Sequence, residues 1–242
     1  MRAIKTGVRT SRRAVDRTDR LDRKQAILLA AEKLFASHGY HAVSIRQIAD
    51  EAGVNPALVD YYYGQKHELF LAIFDHWRGT VDERLQLLAE VRDSAPGADT
   101  VRRVVTAFAT PVLRLRTSSE GEYYAQLVAR ELVHRTPESE QVLAEHFDPM
   151  AHAFIDALQS ACPGSTRGAV AWAYLFAVGA LLQHISDRRV ERLSLGETTA
   201  ADPAAGPLLI DFISAGISAV LSPRPARRAA PLPSPSSKRR RA

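Results

Sequence analysis

Residues 44–63 decide the fold, and they read SIRQIADEAGVNPALVDYYY. Ser44 and Gln47 have the spacing of a capping box, in which the serine hydroxyl accepts from the backbone N–H of Gln47 and the glutamine side chain reaches back. A second helix start follows at Asn55, a good N-cap, with Pro56 at the first helical position. Because a glycine follows each segment, the stretch predicts two short helices joined by a tight turn.

Two short helices within about 20 residues have the shape of a helix-turn-helix. In that motif the second helix fits the major groove of DNA, and the first crosses the phosphate backbone. The same spacing also suits a plain αα-hairpin, so spacing alone leaves both interpretations open. A preceding helix over 20–37, with Ile27, Ala31, Leu34 and Phe35 at helical spacing, completes a three-helix bundle.

Helical periodicity also dominates the rest of the chain, and no long run alternates apolar and polar residues as a strand would. We therefore predict an all-α protein, in which an N-terminal three-helix bundle with the helix-turn-helix precedes a larger helical domain. The predicted later helices run from Lys66 into the late eighties and then over 99–116 (bent or broken at Pro111), 120–135, 138–161, 165–190 and 205–221. The expected domains are a basic flexible arm at 1–19, the helix-turn-helix domain at 20–66, the larger domain at 67–221 and a disordered, basic Pro/Ser-rich tail at 222–242.

The net charge of +5 is unevenly distributed along the chain. Residues 1–24 carry nine Lys or Arg against three Asp, and residues 222–242 carry seven Lys or Arg and no acidic residue. The body between them is therefore acidic. The basic overall balance does not by itself indicate a surface that binds nucleic acid.

Composition and absent motifs narrow the class of protein. The single cysteine, Cys162, excludes an internal disulfide and a site with several thiolate ligands. The longest nearly unbroken apolar stretch, 169–182, is shorter than the roughly 20 residues of a membrane span, so we expect a cytoplasmic protein without membrane contact. The sequence has no nucleophile elbow, phosphate-binding glycine loop or His-Glu-x-x-His motif, and His146 and His152 lack the spacing of a shared metal site. We expect no enzyme, no metal and no cofactor.

Specific motifs add a resemblance to a known family. The chain has AAEKLF at 30–35, Gly39, IADEAGV at 48–54, three tyrosines at 61–63 and KHEL at 66–69. Over about 24–72 these motifs resemble the signature of the TetR family of transcriptional repressors. The resemblance implies a homodimer that binds a palindromic double-stranded DNA operator and is released by a small hydrophobic or acyl-type effector. A ligand-responsive activator or a non-inducible DNA-binding protein of the same fold is the alternative.

The resemblance also implies a set of DNA contacts on the two short helices. Arg46 can reach a guanine edge with its guanidinium fork, and the apolar residues 56–58 can contact a thymine methyl. Tyr61, Tyr62 and Lys66 correspond to positions that contact phosphates and set the register. The complete candidate set is Ser44, Arg46, Asn55, Pro56, Ala57, Leu58, Asp60, Tyr61, Tyr62 and Lys66.

Asp60 departs from the family pattern, because a carboxylate close to phosphates is repulsive unless it accepts from a cytosine amine. The motif region 25–70 has a net charge of −2. We therefore hypothesise that the basic residues 1–24 supply much of the DNA affinity, the alternative being a solubilising extension. The basic tail is open to the same two interpretations. Ser44 can be only a helix cap, and Tyr63 is expected in the core.

The last two predicted helices suit dimerisation. Residues 169–182 are apolar all round, which predicts a helix buried on all sides, and 205–221 has one broad apolar face. The resemblance implies a four-helix dimer interface from helices 165–190 and 205–221 of each chain. In a monomer the same helices would instead form an internal core pair.

The remaining helices of the second domain are expected to enclose a largely apolar ligand cavity. Arg130 and Glu131 are the most informative pair, because a buried charge needs a partner, which an acidic ligand can also supply. Each candidate can alternatively be an ordinary core residue. The candidate ligand-binding residues are Phe108, Leu127, Arg130, Glu131, His134, Phe147, Met150, Phe154, Trp172 and Phe176.

Overall fold

The computed structural model describes residues 9–118, 121–134, 136–200 and 202–221, and these residues form helices with no strand among them. The helices are α1 (Arg9–His38), α2 (Ile45–Ala52), α3 (Pro56–Tyr63), α4 (Lys66–His76), α5 (Arg78–Ala89), α6 (Ala98–Thr117), α7 (Gly121–Val133), α8 (Pro137–Val142), α9 (Asp148–Ala161), α10 (Arg167–Ser186), α11 (Val190–Leu193) and α12 (Ala205–Leu221). A 3₁₀ turn at Tyr40–Ala42 follows α1, and a π-helical turn at Leu143–Phe147 separates α8 from α9. The predicted disordered tail at 222–242 lies outside the described residues.

Local hydrogen bonds confirm the predicted starts of α2 and α3. The Gln47 backbone N–H donates to Ser44 Oγ at 3.3 Å, and the Ser44 N–H donates to Gln47 Oε1 at 2.8 Å, which completes the capping box. Gly53 ends α2 with a φ of 66°, a left-handed conformation that favours glycine. At the start of α3, Asn55 Oδ1 accepts from the Ala57 N–H at 2.9 Å.

The bundle closes around an aromatic and aliphatic core. Phe35 and Phe70 are fully buried with ring centroids 5.6 Å apart, and Ile48 and Val59 hold α2 and α3 against them. Leu127 on α7 belongs to the same core. The helix-turn-helix is therefore packed directly onto the second domain.

The first helix is longer than the sequence predicts. It begins at Arg9 rather than near Arg20, so the backbone of 9–19 in the expected basic arm is helical, and residues 1–8 of that arm lie outside the described residues. That segment has no apolar stripe, and periodicity therefore gave no signal for it. It does have the opposite charges of Asp16 and Arg20 at the i, i+4 spacing that favours a helix.

Three other predicted helices are interrupted. The helix expected from Lys66 into the late eighties breaks at Trp77, which has φ −92° and ψ 7°. The helix expected over 138–161 contains the π-helical turn just before Pro149, a residue that cannot donate a backbone hydrogen bond. The helix expected over 165–190 ends at Ser186. Conversely, α6 stays a single helix through Pro111.

The second domain is built around α6 and α10. Helix α6 packs against α5, α7, α9 and α12, and α10 packs against α7, α9 and α12. By length and composition alone α10 is apolar enough to cross a membrane, yet in this fold it is partly buried against α7, α9 and α12. The cavity described below lies beside it.

Candidate functional site

Helices α2 and α3 present a continuous exposed surface. Arg46, Pro56, Ala57 and Asp60 are exposed, and Leu58 is half-buried. The expected base-contacting residues therefore lie on the accessible side of the motif. Val59, on the opposite face of α3, is fully buried and anchors the helix.

Ser44 and Asn55 are both engaged as helix caps. The Ser44 hydroxyl accepts from the Gln47 N–H and donates to Gln47 Oε1 at 2.8 Å. The Asn55 amide uses its oxygen at the start of α3, which leaves its NH₂ group, with two donors, for a base or phosphate. Both residues are exposed, so capping and DNA contact are compatible roles for Asn55 in particular.

The tyrosines at the end of α3 contact the first helix. Tyr61 is 63% exposed and its hydroxyl accepts from an Arg20 guanidinium N–H. The Tyr62 ring meets the Tyr61 ring edge-on at 5.1 Å. Tyr63 is half-buried, as expected, and its hydroxyl donates to the Lys24 carbonyl at 2.8 Å. Burial raises the pKa of Tyr63 to about 12.

These contacts bring cations to a surface whose own sequence is acidic. Arg20 stands over the Tyr61 ring at 5.5 Å, and Lys24 Nζ lies 5.3 Å from the centroid of the Tyr63 ring. Both basic side chains are exposed next to the recognition helix. The fold therefore places two basic side chains from the end of the 1–24 segment next to the surface of α3.

Lys66 is one of the predicted phosphate contacts, but in the fold its ammonium group contacts backbone carbonyls of the protein. Its Nζ donates to the carbonyl oxygens of Tyr40 and Val43, both at 2.8 Å, and lies 4.2 Å from the Tyr40 ring centroid. Partial burial lowers its pKa, and Glu138 acts in the opposite direction. Lys66 is thus a brace for the turn between α1 and α2, with one ammonium donor left over.

A cavity of about 320 Å³ lies in the second domain between α5, α6, α7, α9 and α10. Of the expected ligand-binding residues, Phe108, Phe147 and Met150 line it. Most of its wall is apolar, which is usual for a small-molecule site. The three residues lie on three different elements, which are α6, the π-helical turn and α9.

The other expected ligand-binding residues lie elsewhere, and the set is corrected accordingly. Leu127 and Phe154 are core residues that do not line the cavity, although Phe154 packs on Phe108 with ring centroids 5.5 Å apart. Trp172 and Phe176 are 62% and 63% exposed on the outer side of α10. The helical pattern could not separate the two sides of α10, because both are apolar.

Arg130 and Glu131 do not form a buried ion pair. Arg130 lies between the domains, where Nη2 donates to the His38 carbonyl at 3.3 Å and the guanidinium covers Gly39. Glu131 is buried and accepts from the Ser139 hydroxyl. His134 is exposed near the end of α7. None of these three lines the cavity.

The polar groups of the cavity are ones that sequence reasoning missed. Arg84 is 6% exposed, and Thr80 precedes it by one turn on α5. Tyr124 and Tyr174, from α7 and α10, and Asp148, at the start of α9, also line the cavity. A signal existed in the sequence, since Arg84 interrupts the apolar stripe that Val81, Leu85 and Leu88 would otherwise continue.

A chain of contacts joins this cavity to the first helix. The Tyr124 ring stacks on the Trp77 indole with centroids 5.1 Å apart and an interplanar angle of 15°. Trp77 Nε1 donates to Glu32 Oε2 on α1 at 2.7 Å, and Glu32 is 1% exposed. The break between α4 and α5 at Trp77 therefore places an indole between the cavity wall and the helix-turn-helix bundle.

The outer side of α10 and α12 is an exposed apolar surface in the single chain. Trp172 and Phe176 stack with centroids 5.8 Å apart, and Phe212 on α12 is 69% exposed. A groove of about 150 Å³ runs between Phe176, Phe212 and Gly216. Among the described residues of one copy nothing packs on this side, so a single copy does not bury α10 on all sides and the expected burial there requires a second copy.

Comparison with known proteins identifies two matching regions. Residues 27–73 match the family model described as bacterial regulatory proteins, tetR family, and residues 106–216 match the one described as tetracyclin repressor-like, C-terminal domain. The chain is 33% identical over 88 residues to the HTH-type transcriptional activator FasR of Mycolicibacterium smegmatis, which covers 31% of this chain and 40% of FasR. It is 26% identical over 149 residues to the HTH-type transcriptional dual regulator CecR of Shigella flexneri, which covers 58% of this chain and 65% of CecR.

A solved structure supports the same fold over most of the described residues. The crystal structure of HlyIIR, a hemolysin II transcriptional regulator, is 20% identical and superposes with a TM-score of 0.57, covering 84% of this chain and 99% of that one. The matches to FasR and CecR span less than two thirds of those relatives' lengths. Because the two family models together match both the helix-turn-helix and most of the second domain, this chain belongs to the TetR family of bacterial regulatory proteins.

Proposed function

We propose that this protein is a homodimeric transcriptional regulator that binds a palindromic operator through α2 and α3 and is released by a small molecule in the cavity. Regulators of this family bind DNA operators and small-molecule effectors, are dimeric and are not enzymes. The observation that carries the proposal is the exposed α2–α3 surface, which hydrogen-bonded caps and a closed core hold in a fixed shape. We also propose that the protein acts in the cytoplasm, where its DNA target lies.

The dimer in this proposal forms through the exposed surface of α10 and α12. Exposed aromatic side chains such as Trp172, Phe176 and Phe212 are costly to leave in water, and a second copy can bury them. Gly179 and Gly216 have open space where a Cβ would stand, which permits close approach of another helix. Two-fold symmetry of the dimer then matches the two half-sites of a palindrome.

The route from ligand to DNA in this proposal is the contact chain from Tyr124 through Trp77 to Glu32. A ligand that moves Tyr124 also moves the indole stacked on it, and the indole is hydrogen-bonded to the first helix. Because α1 packs against α2, a shift there changes the distance between the two recognition helices of the dimer. Binding of effector and operator is then coupled in both directions.

We propose repression as the direction of regulation, since a dimer bound over a promoter excludes polymerase. FasR is named an activator and CecR a dual regulator, so activation is the specific alternative. A promoter fusion measured with and without the chromosomal gene separates them. Higher expression without the regulator supports repression, whereas lower expression supports activation.

The basic N-terminal segment is proposed to add to DNA affinity. Deleting residues 2–19 removes positive charge but leaves Arg20 against Tyr61. We expect weaker operator binding and a shallower dependence of log affinity on log salt, because fewer counterions are released. Unchanged affinity and slope would identify the segment as a solubilising extension.

The experiment that tests the function is a footprint of the full-length protein on DNA upstream of and within its own gene region, followed by fluorescence anisotropy on the protected site. Arg46→Ala should weaken binding about tenfold or more if the guanidinium reads a guanine. Arg92→Ala, an exposed arginine after α5, is the matched control and should leave affinity unchanged. No protected site, or equal effects of the two substitutions, contradicts the proposal.

A further inference from the structure

Arg84 is a buried cation that has no carboxylate partner among the described residues. Its Nε donates to the Phe108 carbonyl oxygen at 2.9 Å, and Nη1 lies 3.5 Å from Met150 Sδ, a weak acceptor. The guanidinium stands over the Phe108 ring with Cζ 4.7 Å from the centroid. These contacts orient the side chain but do not neutralise its charge, which is unusual for a residue only 6% exposed.

One of these contacts has a structural role of its own. Arg84 Nε on α5 donates to the Phe108 carbonyl on α6 and so joins the two helices near Pro111. This brace uses one of the five N–H donors of the guanidinium. A purely structural role therefore leaves most of the hydrogen-bonding capacity of Arg84 unexplained.

The polar neighbours of Arg84 at the cavity are hydroxyl groups. Burial raises the pKa of both Tyr124 and Tyr174, so their phenols stay neutral and keep an O–H donor. Neither hydroxyl makes a hydrogen bond within the described part of the chain. Thr80 lies one turn from Arg84 on the same side of α5. Four side chains on three helices therefore offer donors to one cavity.

The cavity wall also contains one carboxylate, Asp148, at the start of α9. Asp148 is exposed, and the described residues include no ion pair between it and Arg84. Its electrostatic effect is on Tyr174, whose phenolate it disfavours. The cavity wall thus combines a buried guanidinium and O–H donors with one exposed carboxylate that forms no ion pair with Arg84 among the described residues.

We propose that the effector is an apolar molecule with a single anionic head group, a carboxylate or a group of similar chemistry, and that Arg84 binds this head group. The inference rests on the proposed function, since it names the class of ligand for that same cavity. The head group accepts charge-assisted hydrogen bonds from the free guanidinium donors and from the phenols. The apolar body lies against the walls formed by Val112, Val128 and Val178. An anion that engages Tyr124 acts directly on the residue stacked against Trp77.

The test uses the full-length protein and two pairs of probes that differ only in the head group: octanoate with octanamide, and 2-naphthoate with 2-naphthamide. Isothermal titration calorimetry measures each affinity. We expect at least one anion to bind about tenfold or more tightly than its amide, because charge-assisted hydrogen bonds are the stronger ones in a buried site. Arg84→Met should abolish this preference, and Arg84→Lys should keep part of it.

Arg130→Met is the matched control, because it removes an arginine that lies outside the cavity and should leave the preference unchanged. If Arg84→Met does not fold, Arg84→Gln keeps a donor for the Phe108 carbonyl and serves the same comparison. A purely structural role of Arg84 would change stability but not the ratio of acid to amide affinity. Equal affinities within both pairs, no binding of either anion, or a preference that survives Arg84→Met overturns the proposal.

A separate measurement distinguishes failure of the ligand proposal from failure of the proposed regulatory function. Operator binding by the ligand-free protein is followed by anisotropy, and it does not depend on Arg84 or on the head group. If the protein binds no operator, the regulatory function fails whatever the cavity binds. If it binds an operator but shows no head-group preference, only the inference about the ligand fails.

Discussion

The helix-turn-helix bundle and the second domain are both built from apolar helices, but their interiors are organised differently. In the bundle, Phe35, Phe70 and Phe74 form a ladder of ring contacts and are essentially fully buried. In the second domain the interior keeps a cavity of about 320 Å³ and holds Arg84 beside it. The comparison indicates that close packing holds the bundle in one shape. The second domain instead has space for a ligand and a buried arginine without a carboxylate partner among the described residues.

The largest expected effect comes from emptying part of the closed core. Phe35→Ala should lower the free energy of unfolding by about 3–5 kcal/mol, because it leaves a void that neighbouring rings cannot fill. Phe147→Ala, at the partly exposed wall of the cavity, should cost about 1–2 kcal/mol, because water can already reach that space. Urea unfolding of both variants measures the difference.

Equal losses of unfolding free energy in these two variants would contradict the distinction between the closed core of the bundle and the interior of the second domain, which contains a cavity. A larger loss at Phe147 would indicate that the cavity wall is as tightly packed as the bundle. Circular dichroism of both variants checks that the helix content is retained before the comparison is made.

The next effect concerns the residue that joins the two regions. Trp77→Phe keeps a ring next to Tyr124 but removes the donor to the buried Glu32 carboxylate. We expect a loss of about 1–3 kcal/mol, the usual cost when a buried carboxylate loses one of its hydrogen-bond donors. Differential scanning calorimetry of the two proteins at one concentration gives the measurement.

Tyr124→Phe is the control for that change, because it keeps the stacked ring and removes a hydroxyl without a hydrogen-bond partner in the described chain. Its unfolding free energy should stay within about 0.5 kcal/mol of the original protein. A loss as large as that of Trp77→Phe would contradict the assignment of that larger effect to the indole hydrogen bond, since the Tyr124 variant keeps this bond and the stacked ring.

The smallest effect compares one helix cap from each region. Ser44→Ala and Thr166→Ala each remove a hydroxyl that accepts from the backbone N–H three residues later. Both should cost about 1 kcal/mol in unfolding free energy. Only Ser44→Ala should also weaken operator binding, since only α2 belongs to the proposed DNA surface. Similar losses of operator affinity in the two variants would argue against that surface.

The parts of the molecule that sequence reasoning predicted well are those with local causes. The limits of α2 and α3 follow from a capping box, an N-cap, Pro56 and a left-handed glycine, and each of these acts within about three residues. The candidate DNA-binding surface followed from the same helix boundaries, because the start and end of each helix determine which residues share one of its faces. Ile27, Ala31 and Phe35 were likewise placed on one apolar helix face by their spacing, and they are buried.

The cavity was predicted less well, because burial in the second domain depends on distant helices. Arg130 had the appearance of a buried cation within an apolar helix, but α1 ends against it and its guanidinium contacts that terminus. Arg84 interrupts an apolar stripe of α5, but the stripe does not show which helices pack over it, and the fold brings α6 and α9 against it. Trp172 and Phe176 lie on the side of α10 that no helix within the described residues covers.

The sequence by itself therefore determined the helical class, the position of the helix-turn-helix and the family, because caps, turns and motifs are recorded in neighbouring residues. Only the tertiary structure decided that Lys66 braces a turn, that Trp77 joins the cavity wall to Glu32, and that Arg84 is the buried cation of the cavity. The physical reason is that a charge or an indole acquires its role from the groups packed against it. Those groups come from helices that lie far apart in the chain.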